Sequence, residues 1–244
     1  MNMKNMLGGA VLAACAAFCT VSEAAVHEGL EYSTTAVEPG VWSTQFSKCK
    51  RYAEKNGIPL VVFWVNNGCA HCKKVCNSIA ESSSFRAWQK KCGYMFVIGI
   101  GRKAGKKAYE FSKFSGTGED DSKTILHNFP FCAVYCKPAG DTTSPMMKTV
   151  FTADGFTAGG LKKNVKSALK NYVLVRAKAG TGGKAVTTSY QRIGKRVKLV
   201  ATPKSGYRFD GWYRTGTKDK VSSKTTKSVK VTGKASYTAK FKRS

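Results

Sequence analysis

The chain has 244 residues, long enough for one large domain or two modest ones, and 42% of them are hydrophobic. That supplies a buried core and excludes wholesale disorder. Lys and Arg number 41 against 14 Asp and Glu, a net charge of +27, which favours acidic partners such as nucleic acid, anionic polymers or lipid headgroups without choosing among them.

Lys4 precedes an apolar run from Met6 to Val21, and Ser22-Glu23-Ala24 offers a small-x-small cleavage site. This is the anatomy of a secretory signal peptide over residues 1–24, and the run is short for a membrane span. Leu12-Ala13-Ala14-Cys15 resembles a bacterial lipobox, in which Cys15 would carry lipid, although the residues after it stay apolar where a lipoprotein tether is polar. The expected location is therefore outside the cytoplasm: periplasm, cell envelope or medium. Cleavage at Ala24 leaves seven cysteines, Cys49, Cys69, Cys72, Cys76, Cys92, Cys132 and Cys136. In an oxidising compartment at least one of seven is free, reactive or joined to another molecule.

Residues 25–37 read as a polar leader. Ser43 to Asn56 reads as a helix, capped by Ser43 and ended by Gly57, with Phe46, Cys49 and Ala53 near helical spacing. Ile58 to Val65, a continuous β-branched and aromatic run, predicts a strand buried on both faces. Asn66-Asn67-Gly68 is a turn, and Cys69 to Lys91 is helical with a break at Ser82–Ser84. Tyr94 to Ile100 is a second buried strand, and Lys103 to Phe114 a basic helix. Ser115 to Asp121 is a loop, Phe131 to Cys136 a third strand, Pro138 to Pro145 a turn, and Met147 to Thr152 a fourth strand. Leu161 to Tyr172 closes the region as a helix with Leu161, Val165, Ala168 and Leu169 on one face. The order implies parallel crossovers followed by an antiparallel hairpin. Cys132 and Cys136 share one strand face about 13 Å apart, too far to pair with each other.

From Val173 onward cysteine is absent and short apolar–polar alternations recur at 197–203, 228–233 and 236–241. They predict half-buried antiparallel strands. Residues 173–244 hold 19 Lys and Arg against 2 Asp and Glu, a net of +17, so the charge concentrates there.

Cys69-Ala70-His71-Cys72 follows a buried strand and a glycine turn and opens a helix. A thiolate is the nucleophile of disulfide exchange, and the unpaired N–H groups and partial positive charge of a helix N-terminus favour it. Two intervening residues let the second thiol reach the first. Cys69 is expected to attack, Cys72 to resolve the mixed disulfide, and His71 to add a donor or a charge beside the Cys69 sulfur.

The stretch PLVVFWVNNGCAHCKK resembles the active-site segment of thioredoxin-fold proteins: apolar strand, Phe-Trp, turn, CxxC, Lys. Asn128-Phe129-Pro130-Phe131 resembles the loop in which that family carries a cis-proline facing the two cysteines. The resemblance spans residues 38–172. It implies an α/β, thioredoxin-like three-layer domain, with Pro130 opposite Cys69 and Cys72. The turn is one residue longer than in thioredoxin, and Gly68 replaces the usual Trp. Val61, Val62 and Phe63 occupy the region of the family's buried acid, leaving proton transfer to Cys72 slow or water-mediated. The Ala-His dipeptide resembles oxidising members more than reducing ones.

Pro203, Gly206-Tyr207-Arg208-Phe209 and Gly211-Trp212, with the ending Tyr237 to Phe241, resemble the internalin-type B-repeat, also known as the Listeria–Bacteroides repeat. That resemblance covers 173–244 and implies a small β-rich, grasp-like module of secreted and surface proteins, with Tyr207, Phe209 and Trp212 in its core.

Two function classes follow. One is an enzyme exchanging disulfides with cysteine-containing exported proteins and with a redox recycling partner, needing no cofactor. The other is a surface-binding protein, its basic tail directed to an anionic cell-surface polymer. A metal alternative rests on Cys69, Cys72 and Cys76, a soft donor set on one helical face. Charge alone, without interleaved aromatics and behind a signal peptide, does not support specific nucleic-acid binding.

Overall fold

The structure is a computed structural model that describes residues 24–101, 130–137, 146–149, 157–186 and 189–244. Residues 1–23, with Cys15 and most of the expected signal peptide, and the expected basic helix 103–114, loop 115–121 and turn 138–145 lie outside the described residues, as do His127, Asn128 and Phe129.

The described residues between 24 and 168 build one seven-stranded mixed sheet and four helices. In chain order these are β1 (Ala24–His27), β2 (Leu30–Ser33), β3 (Trp42–Ser43), α1 (Phe46–Asn56), β4 (Leu60–Val65), α2 (Ala70–Glu81) and α3 (Ser83–Cys92). Then follow β5 (Met95–Ile100), β6 (Phe131–Cys136), β7 (Met146–Thr149) and α4 (Ala158–Ala168). The spatial order is β1-β2-β3-β5-β4-β6-β7. β4 runs parallel to β5 and antiparallel to β6, and β6 pairs antiparallel with β7. All six residues of β4 are buried, because both faces of the sheet are covered. Side chains alternate between two cores. Val61, Phe63 and Val65 join Cys72, Val75, Ile79, Cys132 and Val134 on one side. Leu60, Val62 and Trp64 join Cys49, Ala53, Ala133 and Tyr135 on the other.

Local rules set most boundaries. Gly57 ends α1 at φ +57°, the left-handed position that favours glycine, and its N–H bonds back to the helix carbonyls. Ser82 separates α2 from α3 and caps α3, accepting the Phe85 N–H at 3.2 Å. Ser43 does not cap α1. It lies in β3, donates to the Ala36 carbonyl at 2.6 Å and accepts the Gln45 N–H at 3.0 Å, while Gln45 holds the cap position without a side-chain bond.

The described residues between 172 and 243 form eight strands: β8 (Tyr172–Ala179), β9 (Gly183–Val186), β10 (Ser189–Arg192), β11 (Arg196–Pro203), β12 (Tyr207–Arg214), β13 (Lys220–Ser222), β14 (Thr226–Lys230) and β15 (Ala235–Arg243). They make a five-stranded sheet, β10-β8-β15-β12-β13, and a three-stranded one, β14-β11-β9. Trp212, Leu199, Val175, Tyr237 and Ala239 form the core, with Phe209 packed against it. Tyr207 is half-buried and lies over Gly182, where a Cβ would meet its ring at 2.3 Å. β8 and β15 run parallel, not antiparallel as the alternation alone suggests.

These observations correct the expected fold class, an α/β thioredoxin-like three-layer domain followed by a small grasp-like β domain. Among the described residues strand (44%) outweighs helix (26%), in several mixed and antiparallel sheets. Residues 25–37, read as a leader, contribute the β1–β2 hairpin, which widens the first sheet beyond the four strands expected. Among the described residues of the tail there is no helix to lie across a grasp, and two sheets enclose its core instead.

Candidate functional site

The carboxyl end of β4 leads through Asn66-Asn67-Gly68 into α2. Gly68 adopts φ +74°, which a Cβ would strain. Cys69 is the N-cap of α2, and its Sγ accepts the Cys72 N–H at 3.1 Å. Its carbonyl accepts the first intrahelical bond, from Lys73 N–H at 3.0 Å. Cys69 and Cys72 are joined in a disulfide, with Cα atoms 5.2 Å apart. Their exposures differ: Cys69 is half-buried and Cys72 wholly buried. A reagent in solution therefore reaches Cys69 first. His71 is exposed on the first turn of the helix.

Pro130 is buried at a bend just before β6. Phe131 stands opposite Trp64 in the β4–β6 register, so Pro130 lies level with Val65, at the end of the sheet from which the Cys69 loop departs. The structure thus brings Cys69, Cys72, His71 and Pro130 to one end of the sheet.

Beneath Cys72 the core is Val61, Phe63, Val65, Val75 and Ile79. Among the described residues no Asp or Glu is buried there. The carboxylate facing α2 is Glu28, in the β1–β2 turn, 4.0 Å from Lys73 Nζ. The sequence reading missed Glu28. The available signal was Glu28-Gly29 between two four-residue runs; both turn residues take positive φ, as a two-residue hairpin requires.

The other five described cysteines are free. Cys76 is wholly buried, and burial, with the Glu28 carboxylate, pushes its thiol up to about 12. Burial likewise pushes Cys136 up to about 12 and Cys92 up to about 11, and raises Cys132 and Cys49. Such surroundings disfavour the thiolate at each of these positions, although Cys92 is only half-buried. Cys132 and Cys136 face the same core from β6 and do not pair. Among the described residues no group of three or more His, Cys, Asp or Glu is placed to hold a metal ion.

The tail joins the first region without a spacer. The Tyr190 N–H donates to the Gly57 carbonyl at 2.6 Å, and the rings of Tyr94 and Tyr190 meet edge to face at 5.6 Å. No helix among the described residues is long and apolar enough to cross a membrane.

No curated protein matches the chain. Residues 173–244 match the family described as the divergent InlB B-repeat domain, a module typical of extracellular and cell-surface proteins, which fits export.

Proposed function

We propose that the chain is an exported thiol–disulfide oxidoreductase working through Cys69 and Cys72. The observation that carries this reading is the half-buried Cys69 sulfur at the start of α2, bonded to a wholly buried partner and aligned by the Cys72 N–H. A substrate thiolate attacks Cys69 Sγ, the Cys69–Cys72 bond breaks, and Cys72 leaves as a thiolate. A second substrate thiolate then attacks the substrate sulfur of the mixed disulfide, and Cys69 leaves. The substrate gains a disulfide, and the two electrons rest on the Cys69–Cys72 dithiol until a recycling disulfide partner removes them. Pro130 borders the place where the substrate chain would lie. His71 supplies a donor or a charge near Cys69.

The Ala-His dipeptide supports an oxidase or isomerase over a reductase. A reduction potential near or below roughly −270 mV would reverse that direction. Periplasm, cell envelope and medium are all suitable locations, with lipid attachment at Cys15 a variant of the second.

The B-repeat match and the +17 of residues 173–244 favour a second reading, a surface-binding protein with no exchange chemistry. Refolding of scrambled ribonuclease separates the two. Loss of activity in Cys69→Ser supports exchange; equal rates for Cys69→Ser and wild type leave the binding reading.

A further inference from the structure

A cleft of about 580 Å³ opens between the two regions of the chain, within the usual range for small-ligand sites. Its aromatic wall is Trp88 of α3, Tyr94 and Tyr190. These rings hold each other edge to face: Trp88 and Tyr94 lie 6.0 Å apart at 85°, and Tyr94 and Tyr190 lie 5.6 Å apart at 74°. The wall is thus fixed before any ligand arrives. Around it stand four cations from four separate elements: Lys91 at the end of α3, Lys166 on α4, Arg176 on β8 and Lys234 just before β15. All four are exposed. Among the described residues none of them is in a salt bridge; the ion pairs there use Glu54, Glu28 and Asp210. Four converging positive charges with no acid partner among the described residues, beside a rigid ring surface, complement one kind of ligand: a ring with an apolar face and an anionic substituent.

We infer that this cleft binds an acidic saccharide, with a sugar ring against Trp88 and its carboxylate or phosphate held by Arg176, Lys166, Lys91 and Lys234. The site is independent of the disulfide chemistry and exists only where both regions meet, since Trp88 and Lys91 precede the B-repeat match while Arg176 and Lys234 lie within it.

Trp88 is itself the reporter. Trp42, Trp64 and Trp212 are each no more than 3% exposed, whereas Trp88 is half-buried, so a ligand in the cleft alters the accessible part of the emission. The full chain after Ala24 is titrated with tetragalacturonate, glucose 6-phosphate, maltotetraose and inorganic tripolyphosphate at physiological salt. At least one of the two acidic sugars should change Trp88 emission and bind about tenfold or more tightly than neutral maltotetraose. Which of the two binds identifies the anion as carboxylate or phosphate. Lys166→Glu/Arg176→Glu, confined to exposed positions, should weaken that binding about tenfold or more, as expected for two charge-assisted contacts. Lys204→Glu/Lys224→Glu carries the same charge change at exposed positions toward the far end of the tail, where Lys204 N–H bonds to Gly182. It should leave affinity within about twofold. Equal losses in the two double variants, tripolyphosphate binding as tightly as the acidic sugars, or no preference for acidic over neutral sugar would each overturn the assignment.

Discussion

The five free cysteines and the Cys69–Cys72 pair give a sharp expectation for alkylation. Protein starting at Ala25 is reduced without denaturant, treated with iodoacetamide at pH 7, quenched over time and mapped by peptide mass spectrometry. A thiol at 9.0, the ordinary value, is about 1% thiolate at pH 7. Cys92, pushed to about 11, is about 0.01% thiolate, so its reaction slows by about 100-fold before any shielding. Cys76 and Cys136, at about 12, lose about 1000-fold, and both are 0% exposed, which slows them further. Cys69, half-buried at the head of α2, should take the label first. If Cys92 or Cys76 is alkylated within about tenfold of the Cys69 rate, the inference from burial to inertness fails, and with it the reason for placing the chemistry at Cys69.

The same burial predicts an alkaline limit to stability. Thiols raised from 9.0 to about 11 in Cys92 and about 12 in Cys76 and Cys136 contribute stability that is intact below pH 9 and lost as pH rises through those values. The urea midpoint should therefore fall between pH 9 and 11, and a flat profile would count against it. The Tyr135 hydroxyl donates to Glu54, and this bond with Lys50 outweighs burial to hold the Glu54 carboxyl below its ordinary 4.5. Tyr135→Phe should cost about 1 kcal/mol at neutral pH, and its gap from wild type should close as pH falls below 4.5; a gap that persists in acid would refute this. Trp212 is 0% exposed and its Nε1 donates to the Thr225 carbonyl at 3.1 Å. Trp212→Ala should destabilise the tail by about 3–5 kcal/mol in chemical denaturation, with a loss below about 1 kcal/mol contradicting its place in the core.

Elements dictated by neighbouring residues were legible in the chain. β4 and β6 announce themselves because burial on both faces demands unbroken apolar runs, LVVFWV and FCAVYC. Gly57 and the break near Ser82 follow from cap chemistry, and the opening of α2 by the CxxC from the strand and turn before it. Features set by distant partners were not legible. The hairpin at 24–33 offers only four residues a strand, and its polar character reads as leader until its pairing is known. Ser43 is a good cap by type, but the Ala36 carbonyl competes for its hydroxyl. The cleft between the regions depends on Trp88 meeting Tyr190 and Lys234, separations that no local pattern encodes. Of the candidate site, Cys69, Cys72 and His71 were readable from spacing, and Pro130 from resemblance, whereas Glu28 emerged only when the hairpin folded over α2.

The parallel pairing of β8 with β15 bears on how the tail meets mechanical load. Tension drawn along the chain enters this region at Tyr172 and leaves at Arg243, the start of one strand and the end of its neighbour. Because the two run in the same direction over Val175–Ala179 and Ala235–Ala239, such a pull slides them past each other. The bonds between them are loaded together in shear and must rupture nearly at once. In an antiparallel hairpin peeled from its open end they would break singly, in succession. The strand direction that alternation misjudged thus gives the basic module a mechanical clamp between its first and last strands.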